Sequence, residues 1–440
     1  MGVSLRMILL SVLIWSGLQL KAQPIREFMD LQTHLTMHMA YGFFSDGLTY
    51  INPEDPPNLT PKHLLKNVTY ADYLEGNRGA RILVHGAILP EVLVPRKRAR
   101  QRILDQLAYV NEFAEAHSEH FAVARTPTEV RQLVHTTDKT IIIHSIEGAK
   151  RLLDGPEDAQ FWAEQGICFM TLIHLIDDEF GGAATLPDMS TRVINYKHAW
   201  KKRFAKKNRR GLTEKGVQAI QWLTDAGILV DLTHMSDSSR ADALDYMEEH
   251  GIPPLVTHDM FKPIQNHPRG ITPEDVIRIY RMGGMMSLPV SGVSNLPHDP
   301  HEQYAQMLDS LEHYCEGSID TYKFTYEVLK GFVEGHTAEI NLEPSQTFAE
   351  LTESEKTNLA IGFQSDFNGW LDHHRPRYGE DGCFEAEPGM DYEPIEIEGM
   401  PHPGLLESHW RLLEKEGVDL DPVRRASEKF LRMWEQVRGE

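Results

Sequence analysis

Gly227-Ile-Leu-Val-Asp231-Leu-Thr-His234-Met-Ser236 decides how the chain is read. Ile228-Leu229-Val230 is continuously apolar rather than alternating, as expected of a parallel strand buried on both faces. The run ends in Asp231 and His234, and Ser236 or Asp237 then offers a helix cap for the stretch Ser236–His250. Upstream, Thr213 caps a second helix-like stretch, Thr213–Ala226. The unit is therefore helix, buried strand, helix, with ligand-type side chains where the strand stops. Moving outward, the same kind of run occurs at Phe28–His34, Arg81–Leu89, Thr140–Ile146, Ile167–Leu175, Pro254–His258, Gly283–Val290 and Asn358–Gln364. Lys97–His117 and Thr272–Met282 add helix-like stretches, the latter opened by Thr272-Pro273-Glu274. Eight strands alternating with helices predict an α/β fold, a (β/α)8 TIM-type barrel. At 440 residues the chain exceeds the roughly 250 of a bare barrel, so long loops, an N-terminal addition and a C-terminal extension must hold the surplus.

Composition narrows the function classes. Hydrophobic residues at 41% and charged residues at 25% suit a globular chain and exclude a disordered one. A net charge of −21 argues against nucleic acid or an anionic membrane surface as main partner. Three cysteines, Cys168, Cys315 and Cys383, are too few for a disulfide scaffold and leave at least one unpaired. Arg6, the apolar run Met7–Leu20 and Leu20-Lys21-Ala22 read as a secretory signal peptide over residues 1–22, an uncleaved membrane anchor being the alternative. What remains, 23–440, reads as a single barrel domain exported to a periplasmic or extracellular location.

Six of the 22 histidines share one kind of place. They fall, with carboxylates, at the C-terminal ends of the strand runs: Asp30, Gln32 and His34; His85; His144 and Glu147; His174; Asp231 and His234; His258 and Asp259; Asp366. In a barrel this face carries the chemistry, because the loops after the strands converge there. Imidazole with carboxylate is the donor set that zinc and similar divalent ions take. Of these, Asp30, Gln32, His34, Glu147, His174, His234, His258 and Asp366 are expected to face one pocket.

Ordered blocks now carry a resemblance. Ser145-Ile-Glu147-Gly148, Gly211-Leu-Thr213, the Gly227–Ser236 stretch, Thr257-His258, His267-Pro-Arg269-Gly-Ile-Thr272 and Gly362-Phe-Gln-Ser-Asp366-Phe-Asn368-Gly369 resemble, in order and spacing, the membrane (renal) dipeptidase family of amidohydrolase-type metal-dependent barrels. The tail, Pro403-Gly-Leu-Leu through Phe430-Leu-Arg-Met433, resembles the family's ending more loosely, with Ser427-Glu428 in place of its Gly-Asn. The resemblance implies a hydrolase that cleaves dipeptides or related small amides with metal-activated water. Glu147 would bridge two metals, His234 and His258 would complete the more buried ion, and His174 would stabilise charge on the scissile carbonyl oxygen. Arg269 would receive the substrate carboxylate, as a guanidinium fork suits, and Asp366 would carry the proton.

One departure bears on the metals. The family's His-x-Asp of the first strand reads Gln32-x-His34 here, and residues two apart on a strand share a face. Both can still reach the site, but a neutral amide and an imidazole replace an imidazole and a carboxylate. The expectation is one tightly bound zinc ion and a second that is weak or absent. A second departure, Asn368 for Asp, touches hydrogen bonding around Asp366. The alternatives are a degenerate barrel that binds a small ligand without cleaving it, and a hydrolase shifted to N-acyl amino acids or lactones. The expected partner is a small dipeptide-like molecule with a free carboxylate. A homodimer is among the assemblies the sequence allows.

Two further stretches read plainly. Lys197–Arg210 is a cationic island in an acidic chain, best taken as a solvated loop rather than a polyanion site. Gly379–Gly399 is an acidic irregular loop after the eighth strand, either a rim over the pocket or loose surface. Cys168, inside the fourth strand, reads as a small buried apolar residue.

Overall fold

The computed structural model describes residues 24–41, 79–91, 93–184, 208–290, 297–336, 340, 359–367 and 373–440. The stretch 1–22 read as a signal peptide, most of the basic run and Asn368 lie outside them. In chain order the elements are β1 (Met29–Thr33), α1 (Met37–Tyr41), β2 (Ile82–Ile88), α2 (Arg96–Ala116), β3 (Phe121–Val123), α3 (Pro127–Thr136), β4 (Thr140–Glu147), α4 (Pro156–Glu164) and β5 (Ile167–Thr171). There follow α5 (Glu214–Asp225), β6 (Leu229–Asp231), α6 (Asp237–His250), β7 (Leu255–Val256), α7 (Pro273–Arg281), β8 (Met285–Pro289), α8 (Glu302–Asp309) and α9 (Ile319–Gly335). The chain closes with β9 (Gly362–Gln364), α10 (Pro394–Glu398), α11 (Leu406–Lys415) and α12 (Asp421–Arg438). The three expected caps form: Thr213, Ser236 and Thr272 each accept a hydrogen bond from a backbone N–H three residues on.

All strand pairings are parallel, and a pairing of β2 with β4 closes the sheet into a barrel in the order β1-β2-β4-β5-β6-β7-β8-β9. Every expected strand is there. One was not expected: β3 pairs with Thr140–Ile142 of β4, on the edge that β5 takes over from His144 onward. Alternation along the strands gives two apolar layers. Ile82, Val84, Ile141, Ile143, Phe169, Leu229 and Met285 fill the barrel interior with Phe430 and Trp434 of α12. Leu83, Ala87, Ile142, Ile146, Met170 and Val230 face the surrounding helices.

Helix α12 is locked against the barrel by a buried ion cluster. Arg131 of α3 gives two hydrogen bonds to Glu428 at 2.8 and 3.1 Å and two to Glu435 at 2.7 and 3.2 Å. Glu428 also accepts the Ile25 amide at 2.9 Å. Thus the departure at Ser427-Glu428 has a structural use: a carboxylate there ties the C-terminal helix to the start of the chain.

The acidic stretch after β9 is anchored rather than loose. Cys383 is disulfide-bonded to Cys315, Tyr378 packs on Tyr392, and Arg377 bonds Glu396 and Glu416 at 3.0 and 2.7 Å. Cys168 is free and buried, as expected. No helix among the described residues is long and apolar enough to cross a membrane.

Candidate metal centre

Glu147 ends β4 and is the hub. Its Oε1 lies 3.0 Å from Nε2 of His258, 3.2 Å from Nε2 of His234 and 3.5 Å from Nε2 of His174. Its Oε2 lies 3.1 Å from Nε2 of His34, which is 3.2 Å from Oδ1 of Asp366. All six side chains are buried. The strands explain the convergence: Glu147 ends β4, and the residues just past β1, β5, β6, β7 and β9 carry His34, His174, His234, His258 and Asp366. His234 and Asp366 hold left-handed backbone with φ of 67° and 49°, a strained conformation for non-glycine residues that collects at functional sites.

The hydrogen bonds fix which imidazole nitrogen faces the centre. Thr257 Oγ1 donates to Asp231 Oδ2 at 2.9 Å and lies 2.7 Å from Nδ1 of His258. With its proton committed, the hydroxyl accepts from Nδ1–H, leaving the Nε2 lone pair toward Glu147. His34 behaves alike: Nδ1 lies 2.8 Å from the Gly86 carbonyl, which can only accept. Asp231 organises this side of the barrel, also accepting from Thr171 Oγ1 at 2.6 Å and from Thr233 Oγ1 at 2.6 Å. Lone pairs aimed at carboxylate oxygens, and two Nε2 atoms only 2.9 Å apart in His234 and His258, are repulsive unless a proton or cation lies between. Glu147, His174 and His234 place donor atoms within 4.8 Å of one another. The donor set fits a divalent metal ion.

Electrostatics agree. Burial opposes the charge on Glu147, but His174, His234, His258 and His34 outweigh it and hold the carboxyl well below the usual range. Burial pulls His34 down, yet Asp366 and Glu147 overcome it and push the imidazole up to about 10. Burial takes His174 down to about 4 and His234 well below its ordinary value.

Gln32 does reach the site, its Nε2 3.3 Å from Nε2 of His34 while Oε1 has no partner among the described residues. Gly86 makes the room, since a Cβ there would stand 2.6 Å from the Gln32 amide. Arg269 lies beside the cluster, but Nε bonds Asp259 at 2.7 Å and Nη2 bonds the His258 carbonyl at 2.6 Å. Among the described residues, Nη1 and the second hydrogen of Nη2 remain for a ligand. Sequence reasoning missed that Asp259, next to His258, would orient this arginine. Two further histidines near the strand ends lie elsewhere. His85 and His144 pair across β2 and β4 and face the helix layer, Nδ1 to Nδ1 at 3.1 Å, bonded to Thr36 and Asn111. They stand outside the pocket because they differ by odd steps from the inward Gly86 and Glu147. Asp30 also turns away and accepts from Ser365 N and Oγ at 2.8 and 2.5 Å.

A closed parallel barrel with carboxylate and imidazoles gathered at the strand ends is the architecture of a metal-dependent hydrolase class. The description "Membrane dipeptidase (Peptidase family M19)" matches residues 67–318, which include Glu147, His174, His234, His258 and Arg269. The chain belongs to this family. An uncharacterized dipeptidase of Schizosaccharomyces pombe is 21% identical over 168 residues, 38% of this chain and 36% of that protein, so the chain spans only about a third of the relative's length. Among solved structures, the metallopeptidase described as dipeptidase AC superposes with a TM-score of 0.60 at 15% identity, covering 95% of this chain and 100% of that one. A Rhodobacter sphaeroides metallopeptidase liganded with a phosphinate mimic of L-Ala-D-Ala gives 0.59 at 14%, covering 94% and 100%. These likenesses are in fold.

Proposed function

We propose that the protein is a metal-dependent dipeptidase, hydrolysing the amide bond of small dipeptides with a free carboxylate. The observation that carries the reading is the ring of Nε2 atoms around Glu147. Glu147 Oε1, His234 and His258 would hold the tight ion, which we take to be zinc. Glu147 Oε2, His34, Asp366 Oδ1 and Gln32 frame a second, weaker position. It gains a carboxylate in Asp366 but lacks a charged partner at Gln32.

Bound at this centre, a divalent cation supplies a polarised carbonyl and a water that ionises near neutral pH. The chain's own residues do the rest. Asp366, buried beside His34, accepts the proton of the attacking water and returns it to the leaving amine. His174, kept neutral by burial, hydrogen-bonds the carbonyl oxygen as charge develops there. Arg269 pairs with the substrate carboxylate through its remaining donors. Burial of the cluster excludes bulk water and strengthens each of these interactions.

Export is part of the proposal. The Cys315–Cys383 disulfide supports an oxidising compartment, in keeping with the signal-like residues 1–22. The test is hydrolysis of a small dipeptide panel by purified protein of known metal content. Turnover that follows bound metal and is lost in Asp366→Asn supports the reading. Bound metal without turnover of any dipeptide would leave the non-hydrolytic binder instead.

A further inference from the structure

Glu91 lies just past β2, at the rim that carries the metal centre, and the proposed function gives it no task. The residue is only 8% exposed, and among the described residues neither carboxylate oxygen meets a donor at full hydrogen-bond geometry. The Leu175 amide gives the carboxyl some stabilisation. A buried carboxyl so poorly supplied with donors is costly and needs an explanation. Its position is specific. Gly148, the residue after Glu147, has φ of +95°, and a Cβ there would stand 2.9 Å from Glu91 Oε1 and 3.4 Å from His174 Cβ. Glu91 is thus seated across Gly148 from the metal hub and beside His174, whose buried Nδ1 is also unpartnered. Asp178, in the turn after β5, adds a second buried carboxyl whose Oδ2 has no partner, although Oδ1 accepts from the amides of Phe180 and Gly181. Lys150 pulls electrostatically on both carboxyls but forms no ion pair with either among the described residues.

The barrel order gives this acidic recess a meaning. Counting round the closed sheet, β2 stands four strands from β7, directly across the mouth. Arg269 follows β7 and Glu91 follows β2, with Glu147 between them. A zwitterionic dipeptide has a carboxylate at one end, an ammonium at the other and the scissile carbonyl in the middle. We infer that Glu91, with Asp178 beside it, receives the free α-ammonium of the substrate, so that the site grips both charged ends across the metal centre. This rests on the dipeptidase reading and deepens it: the substrate class becomes dipeptides with an unblocked amino terminus. An ammonium with three donors suits two carboxylates whose Oε1, Oε2 and Oδ2 lack a full hydrogen bond among the described residues. Burial and Asp178 push Glu91 up to about 8, against the pull of Lys150. Asp178 is pushed up to about 7, chiefly by burial.

The test compares an alanyl dipeptide with its N-acetyl form, using metal-loaded wild type, Glu91→Gln and Glu91→Asp. Losing a charge-assisted contact to the ammonium should lower kcat/KM of Glu91→Gln for the free-amino dipeptide about 10- to 100-fold. The N-acetyl substrate should be unaffected, and Glu91→Asp should recover part of the loss. Calorimetric binding of a phosphinate dipeptide mimic and its desamino analogue supplies an arm that needs no turnover. A wild-type preference for the amino form that Glu91→Gln abolishes supports the inference even if no dipeptide is cleaved, an outcome that would defeat only the activity. Equal losses on amino and N-blocked compounds, or none on either, overturn it.

Discussion

Thr257 fixes the tautomer of His258: its hydroxyl, committed to Asp231 at 2.9 Å, sits 2.7 Å from Nδ1 of the imidazole. The neighbouring strand end at Asp231 thereby dictates which nitrogen of His258 meets Glu147. Partners behind a ligand typically matter by about 10- to 100-fold in metal affinity. Thr257→Val keeps the shape and removes the hydroxyl, so competition against a chromophoric chelator should show a loss of that order. An unchanged affinity would mean that packing alone orients the ring.

Arg269→Lys tests the carboxylate end. The lysine keeps a charge but loses the fork and the bond to the His258 carbonyl. We expect kcat/KM for dipeptides to fall about tenfold or more relative to their C-terminal amides, a difference of roughly 1.4 kcal/mol. Equal losses on both would assign Arg269, through Asp259, to the structure of the loop.

Glu428→Gln addresses the lock on α12. Glu428 and Arg131 side chains are each only 3% exposed, so neutralising one partner leaves a poorly compensated buried charge. Breaking such a pair costs about 3–5 kcal/mol, and Glu435 should retain part of it. Urea unfolding should show a loss of at least about 2 kcal/mol; a change below about 0.5 kcal/mol would put the cluster in the class of surface pairs.

Much of this architecture is legible in the sequence because continuous apolar runs such as Ile141-Ile142-Ile143 have no other comfortable home than a buried parallel strand. The site residues followed from their place at strand ends. Phe121–Val123 escaped notice because three residues show no period. The outward turn of His85 and His144 is not signalled by their place near a strand end, which says nothing of which face a side chain takes. Parity could have corrected this, since His144 lies three residues before Glu147. The Cys315–Cys383 pairing and the recess at Glu91 depend on contacts between distant loops, which no local pattern encodes.

His409 gives the fold a pH dependence of definite sign. It is buried with both ring nitrogens unpartnered, stacked on His374 at 5.5 Å and edge-on to Tyr322 at 4.9 Å. Burial takes it down to about 3, below the roughly 6.5 of an unfolded histidine. The unfolded chain therefore binds the proton first, and stability is lost as pH falls from about 6.5 toward 3. His374, lowered for the same reason, acts in the same direction. His409→Phe should flatten the fall of Tm between pH 6.5 and 4 relative to wild type. A parallel decline in both proteins would assign the acid sensitivity elsewhere.

The ring of imidazoles around Glu147 is tested most directly by the metal content of the purified protein after dialysis against a mild chelator, with Glu147→Gln treated alongside. The geometry predicts one divalent ion per chain in the wild type and loss of that ion in the variant. Wild-type protein that retains no metal, or a variant that retains as much as the wild type, would contradict the assignment of this cluster as a metal centre.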